Sequence, residues 1–79
     1  MQDAQPKPRL NPKKLLLSKW TAVAPVNREK HFVVVKVVEP VVPEGPIVFV
    51  EIEAVHSHRS TTLAWRELQD TRVWRQGWN

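Results

Sequence analysis

The sequence predicts a small all-β domain, built as an antiparallel barrel of about five strands with one short helical turn. Three observations lead to this fold class. β-Branched residues are concentrated in the middle of the chain, prolines and polar turns divide it into short segments, and 79 residues suffice for one domain with a small core. The balance of 42% hydrophobic and 25% charged residues is that of a globular domain.

The first fourteen residues predict a flexible basic tail, and residues 15–79 predict the single folded domain. Three prolines favour extended backbone in the tail, and no apolar periodicity appears there. Residues 15–23 are rich in strand-forming side chains and predict the first strand. We expect this strand to end before Pro25, because proline cannot donate to a strand ladder. The polar residues 25–30 then predict a hairpin loop.

The next two strands have the clearest patterns. Residues 31–39 hold five valines and one phenylalanine, side chains that pack well on a pleated sheet but crowd a helix. Their near-continuous apolar character predicts a strand covered on both faces. Residues 39–46 contain three prolines and Gly45, which predict a loop. Residues 47–55 alternate between apolar and other side chains, so we expect a third strand with one buried and one solvated face.

The last twenty residues predict a fourth strand at 61–65, a helical turn near 65–70 and a short fifth strand at 73–75. A tryptophan and a leucine three residues apart favour the helical turn. A capped turn that ends at Gly77 is the alternative to the fifth strand. Short strands with one helical turn before the last are the element order of an SH3-like barrel. This analogy concerns the fold alone, because a fold does not imply a function.

Four segments of the chain carry a resemblance to a known family. They read NPKKLLLSKWTAV, EKHF, AVHSHRS and WRELQDTRVWRQGW. Together they resemble a family of tryptophan-rich small bacterial proteins of unknown function, found in cyanobacteria and proteobacteria. The proline-rich stretch VVEPVVPEGPI departs from the family pattern, and we interpret it as a variable loop. The resemblance implies a bacterial cytosolic protein and provides no site residues to carry over.

Composition and motifs exclude several classes of function. Cysteine is absent, which excludes a disulfide framework, a thiolate metal site and a thiol nucleophile. No apolar run of the roughly 18 residues needed for a membrane helix occurs, and no signal-peptide pattern is present, so we expect a cytoplasmic protein. The two glycines stand outside any phosphate-binding motif, and no nucleophile elbow is present. We therefore expect a non-enzymatic protein without a cofactor or a metal.

Basic and aromatic residues predict a binding surface. A net charge of +4 favours a polyanionic partner, and arginine interleaved with tryptophan is typical of surfaces that bind single-stranded nucleic acid. The predicted partner is therefore RNA, and the predicted binding residues are Lys13, Lys14, Arg59, Arg66, Arg72, Trp74, Arg75 and Trp78. Trp20 and Trp65 lie inside predicted elements and are expected to be structural. The alternative for the last two tryptophans is a C-terminus that folds back as a hydrophobic lid.

Other readings of the same residues remain open. The aromatic side chains could line a groove for an extended or proline-rich peptide, which would make the chain a protein-interaction module. His31, His56 and His58 could in principle bind zinc, although histidines in a polar turn are usually surface groups. Phe32, Val34 and Val38 share a strand face with Lys36, and an outward orientation of that face predicts an apolar patch. Residues 15–17, the terminal tryptophans or a second subunit in a homodimer could cover it.

Overall fold

The computed structural model describes residues 9–79, which form one five-stranded antiparallel sheet. The strands are β1 (Lys19–Val26), β2 (Glu29–Val37), β3 (Phe49–Ala54), β4 (Ser60–Ala64) and β5 (Trp74–Gln76), and their order in the sheet is β4-β3-β2-β1-β5. Two short 3₁₀ helices, Pro12–Lys14 and Trp65–Gln69, complete the described elements. The prediction of an all-β fold with five strands and one helical turn before the last strand is confirmed.

The segment before β1 differs from the prediction. Residues 15–17 were predicted to begin the first strand, but they follow the first 3₁₀ helix in a turn in which Leu17 has φ 67°. Asn11 caps that helix, since its side-chain oxygen accepts a hydrogen bond from Lys13 N at 3.0 Å. Ser18 N donates to Leu15 O at 2.9 Å, which closes the turn ahead of the strand, and β1 begins at Lys19. Most of the predicted tail, residues 1–8, lies outside the described residues.

The β1–β2 hairpin shows why β1 runs further than predicted. Asn27 and Arg28 both have positive φ, at 55° and 63°, which is the conformation of a two-residue type I′ turn. The turn lets Val26 pair with Glu29, so the strand continues through Pro25. Pairing is irregular between Thr21 and Val26, where the proline lies.

The core lies on one face of the sheet and is completed by Leu15, which follows the first 3₁₀ helix, and by the second 3₁₀ helix. Its buried members are Leu15, Trp20, Val34, Val50, Ile52, Trp65 and Leu68. The structural role expected for Trp20 and Trp65 fits their burial, at 1% and 8% exposure. Trp65 begins the second 3₁₀ helix instead of ending β4, and its Nε1 donates to Ile47 O at 2.9 Å.

The expectation of an outward-facing patch on β2 is wrong. Val34 is fully buried, and Phe32 packs against the core cluster. The register shifts between Val34 and Lys36, so Val37 opposes the buried Val50 and Lys36 opposes Glu51. This bulge places Val34 and Val37 on the core face and Lys36 on the other face, which the simple alternation of a regular strand could not predict.

The sheet is not closed by hydrogen bonds among the described residues. β5 pairs with β1, as an SH3-like element order requires, but β4 and β5 remain at opposite edges of the sheet. The predicted barrel is therefore open between these two strands. Among residues 9–79, no helix has the length and apolar character needed to cross a membrane.

Candidate functional site

An apolar cleft of about 330 Å³ lies on the core-facing side of the sheet, between the β1–β5 pair and the β3–β4 pair. The cleft is bordered by the two edge strands that do not pair with each other. Apolar and small side chains line most of it: Ala22, Ala24, Phe32, Ile52, Leu63 and Trp74. The charged residues that contribute to the lining are Glu29, Arg59 and Arg72.

The size of the β1 side chains explains why the core is filled at one end of this strand and open as a cleft at the other. Alternate residues of a strand point to the same face, so Trp20 and Ala22 both point to the core side. Trp20 fills the space beneath one end of the sheet and is 1% exposed. Ala22 and Ala24 leave the space open at the other end, where they line the cleft.

Trp74 forms one wall of the cleft. It opposes Ala22 in the β1–β5 register, and its ring meets Phe32 edge to face, with centroids 5.1 Å apart and planes at 85°. This is a favourable geometry for two aromatic rings. Trp74 is half-buried and packs against the core, so its ring faces are less available for stacking on bases than the sequence predicted.

Glu29 and Arg59 form an ion pair at the cleft. Arg59 Nε and Nη2 donate to the two carboxylate oxygens at 3.0 and 2.5 Å, and Ser57 Oγ also donates to Glu29. These hydrogen bonds lower the pKa of Glu29 from 4.5 to about 2, and the bonds from Arg59 have the largest effect. The carboxylate is 6% exposed, whereas the Arg59 side chain is 64% exposed. The guanidinium of Arg59 is therefore exposed to solvent, but its charge is already paired with the Glu29 carboxylate.

Arg72 is also paired. Its Nε and Nη2 donate to the Asp70 carboxylate at 3.1 and 3.2 Å, and its backbone N donates to the same carboxylate at 3.0 Å. The hydrogen bond to Asp70 raises the pKa of Arg72 above its usual value. The Arg72 side chain is 89% exposed, so solvent screens this pair strongly.

The opposite face of the sheet is covered in part by the C-terminal segment, residues 77–79. Thr21 is buried there, and its hydroxyl donates to Gly77 O at 2.6 Å and accepts from Asn79 N at 3.1 Å. Gly77 N also donates to Lys19 O at 2.7 Å. Gly77 has φ +88°, a conformation that suits glycine and turns the chain back over the sheet.

Trp78 lies on this face. Its Nε1 donates to Phe32 O at 3.0 Å, Lys19 Nζ lies 4.8 Å from its ring centroid, and the His31 ring lies 5.8 Å away. The residue remains 44% exposed. The C-terminus thus folds back, as the alternative reading expected, but over the polar face of the sheet and not over the core.

The eight predicted binding residues do not form one surface. Arg59, Arg72 and Trp74 meet at the cleft. Arg75 opposes Thr21 and so shares the opposite face with Trp78. The others lie apart: the guanidinium of Arg66 stacks over the Trp65 ring at 4.8 Å, and Lys13 and Lys14 are exposed on the first 3₁₀ helix.

The three histidines do not converge. His31 contacts Trp78, and His58 Nδ1 lies 3.2 Å from Glu53 Oε2. Within residues 9–79 no group of three or more histidine, cysteine or acidic side chains is arranged to hold a metal ion.

Sequence reasoning missed the small residues that make the cleft. Ala22, Ala24 and Thr61 carry no charged or aromatic group, so their side chains do not mark them as binding residues in the sequence. The available signal was the change from Trp20 to alanine at the inward positions of β1. The participation of Glu29 depends on a partner 30 residues away, and no local pattern marks such a pair.

Comparison with known families identifies the family of the chain. The family described as "Tryptophan-rich protein (DUF2389)" matches residues 18–79. The chain belongs to this family. The match confirms the resemblance read from the sequence, and its span includes all four tryptophans, the five strands and the cleft. No curated protein sequence and no solved structure gives a significant match to the chain.

Proposed function

We propose that this member of the DUF2389 family is a non-enzymatic protein-interaction module whose cleft binds a short apolar segment of a partner protein. The observation that carries the proposal is the open apolar cleft between β4 and β5, the two edge strands of the sheet. Exposed apolar concavities with a few polar groups at their borders are typical binding sites. The lack of cysteine suits a reducing compartment, and we propose that the module acts in the cytoplasm.

The chemistry of the cleft favours a peptide over a polyanion. Arg59 and Arg72 are already paired with Glu29 and Asp70, so a phosphate would have to compete with two carboxylates. The volume of about 330 Å³ lies at the lower end of the range of roughly 300–1,000 Å³ for ligand pockets. It suits two or three apolar side chains. Within residues 9–79, β4 pairs with β3 alone, so its other edge is available for main-chain hydrogen bonds.

A pair of variants on β4 tests the proposal. Thr61 lines the cleft, whereas Thr62 is exposed on the opposite face of the same strand. Peptides selected from a random library on the full-length protein should shift the indole signal of Trp74 in NMR spectra. Thr61→Arg should weaken their binding at least about tenfold, and Thr62→Arg should leave it unchanged. Peptides that bind both variants equally, or a selection that yields none, would overturn the proposal.

RNA binding on the opposite face is the second candidate function. It is favoured by the exposure of Trp78, together with Lys19 against its ring and Arg75 on the same face. It ranks second because Glu51 and Glu53 share that face and would repel phosphates.

Salt dependence distinguishes RNA binding from peptide binding. Binding to mixed-sequence single-stranded RNA should weaken with added salt, with a logarithmic slope of about −0.7 per phosphate contacted. Arg75→Gln should reduce this slope, whereas Arg28→Gln in the β1–β2 turn should not. An affinity that is absent at low salt, or equal for both variants, would exclude RNA binding on this face.

A further inference from the structure

The hydrogen bonds at the two ends of β4 show which way its backbone groups point. Arg59 O accepts a hydrogen bond from Ala54 N at 2.9 Å, and Trp65 N donates to Val48 O at 3.0 Å. Residues 59 and 65 therefore direct these groups toward β3. In an antiparallel ladder the direction alternates along the strand, and the β3–β4 register is regular. The residues of β4 that direct their N–H and C=O groups to the outer edge are Ser60, Thr62 and Ala64.

This outer edge of β4 is free within residues 9–79. There β4 pairs with β3 alone, and Ser60, Thr61 and Thr62 are exposed. A charged residue, a proline or a bulge usually protects an edge strand against pairing with another chain. β4 contains none of these, and its sequence STTLA favours extended backbone. The edge is therefore open to a further strand.

β5, the other edge strand, is less suited to pairing. It has only 3 residues, and Arg75 lies at its centre. Val73 O and Gly77 N bond to β1, so the backbone N of Trp74 points outward. This N already donates to Asp70 O at 2.9 Å. A strand that extends the sheet would therefore add at β4.

The edge of β4 is complementary to itself. When a second β4 lies antiparallel about a twofold axis at Thr62, Thr62 faces Thr62 of the second copy and Ser60 faces Ala64. Each of these residues directs its N–H and C=O outward, so every facing pair exchanges hydrogen bonds in both directions. A shift of the second strand by two residues loses one of the three facing pairs, and a shift by one places outward groups against inward ones. The edge therefore selects this register.

The side chains at this contact are also compatible. Threonine faces threonine on one side of the sheet, and such cross-strand pairs are favourable. On the cleft side, the half-buried Leu63 faces Thr61 of the second copy. β4 has no charged side chain that would meet its own copy. A second copy brings a strand that is already ordered, whereas a foreign peptide loses conformational entropy when it binds. These points favour a second copy as the partner.

We propose that two copies pair through β4, antiparallel about Thr62, and join their sheets into one continuous sheet. This goes beyond the proposed function, because it uses the backbone edge of β4 and not the side chains that line the cleft. The contact is isologous and closes at a dimer. It places both clefts on the same face of the joined sheet, because facing residues of paired strands point to the same side. So short a contact predicts weak association, with a dissociation constant of about 0.1–1 mM.

Two substitutions of Thr62 test whether the backbone edge makes the contact. Thr62→Pro removes an outward N–H and no hydrogen bond to β3, so the variant should fold, and NMR spectra check this. Thr62→Val keeps the N–H and is the matched control. In sedimentation velocity up to about 1 mM, the wild type and Thr62→Val should associate to a dimer. Thr62→Pro should associate at least about tenfold more weakly.

Charge exchange at the same position tests the twofold register. Because Thr62 faces itself, Thr62→Lys and Thr62→Glu each bring like charges together, and each should stay monomeric alone. An equimolar mixture should form a heterodimer, since opposite charges then face each other. Arg28→Glu changes an exposed charge in the β1–β2 turn, away from the edge, and should associate as the wild type does. If Thr62→Pro does not fold, these charged variants decide.

Amide signals provide a direct measurement on the wild type. As the concentration rises, hydrogen bonds to the second copy should shift the amide signals of Ser60, Thr62 and Ala64. The amides of Thr61 and Leu63 bond to β3 in both states and should shift less.

Several results would overturn the inference. They are a wild type that stays monomeric at about 1 mM, equal association of Thr62→Pro and Thr62→Val, a charged mixture that associates no better than its components, and assembly beyond a dimer. Peptide binding to the cleft is measured at about 10 µM, where the chain is mostly monomeric, so it tests the proposed function separately. Peptides that bind a strictly monomeric wild type leave the proposed function standing, and a dimer without peptide binding leaves only this inference standing.

Discussion

Replacing Thr21 with valine tests how the C-terminal segment is held on the sheet. The buried Thr21 hydroxyl makes two hydrogen bonds, to Gly77 O and from Asn79 N. Valine has nearly the same shape, so the change removes both bonds without creating a cavity. Each such bond contributes about 0.5–1.5 kcal/mol, and the loss leaves buried groups unsatisfied, so we expect unfolding to become easier by about 1–3 kcal/mol. For a domain of this size that lowers Tm by roughly 5–20 °C.

Urea denaturation followed by tryptophan fluorescence measures this loss, and the Trp78 indole signal reports whether the segment is released. Thr21→Ser keeps the hydroxyl and should lose less stability than Thr21→Val. Thr62→Val removes an exposed hydroxyl from the same sheet face and should have little effect. If Thr21→Val and Thr62→Val were equally stable, the hydroxyl would not anchor the segment, and the account of this face would be wrong.

Three further perturbations test the ion pair, the core and the turn at Gly77. Because the pKa of Glu29 is lowered from 4.5 to about 2, its contribution to stability should be complete above pH 4.5 and disappear as the pH falls toward 2; Glu29→Gln should remove this part of the pH dependence in denaturation curves. Leu68→Ala removes a fully buried side chain and should cost about 2–5 kcal/mol of unfolding free energy, and a loss below about 1 kcal/mol would contradict its place in the core. Gly77→Ala meets no atom within 4 Å but must adopt φ +88°, so calorimetry should show a loss of about 1 kcal/mol caused by backbone strain alone.

The strands themselves were largely predictable. In β2 and β3, β-branched side chains and alternation act over short distances, so residues 31–39 and 47–55 predicted strands that the structure has at Glu29–Val37 and Phe49–Ala54. The errors concern particular local bonds. Residues 15–17, expected in the first strand, form a turn closed by the hydrogen bond from Ser18 N to Leu15 O, and the bulge after Val34 moves Lys36 off the face that it was expected to share with Val34.

The candidate sites were only partly predictable. The sequence marked Arg59, Arg72 and Trp74 as binding residues, and the fold brings these three to one cleft. It also marked Trp78, which the fold places on the opposite face of the sheet. Charged or aromatic residues that the sequence marks for binding need not be neighbours in the fold, because their positions depend on strand order and register.

By itself, the sequence determined the all-β class, the five strands with the helical turn before the last of them, and membership of the tryptophan-rich family. These follow from side-chain shape, spacing and motif, which act along neighbouring residues. Only the tertiary structure decided that β4 and β5 stay apart, that alanines on β1 leave a cleft between them, and that Glu29 finds Arg59. The physical reason is that a cavity and a distant ion pair exist only after strands far apart in the chain are packed together, when the volumes and charges of many side chains act at once.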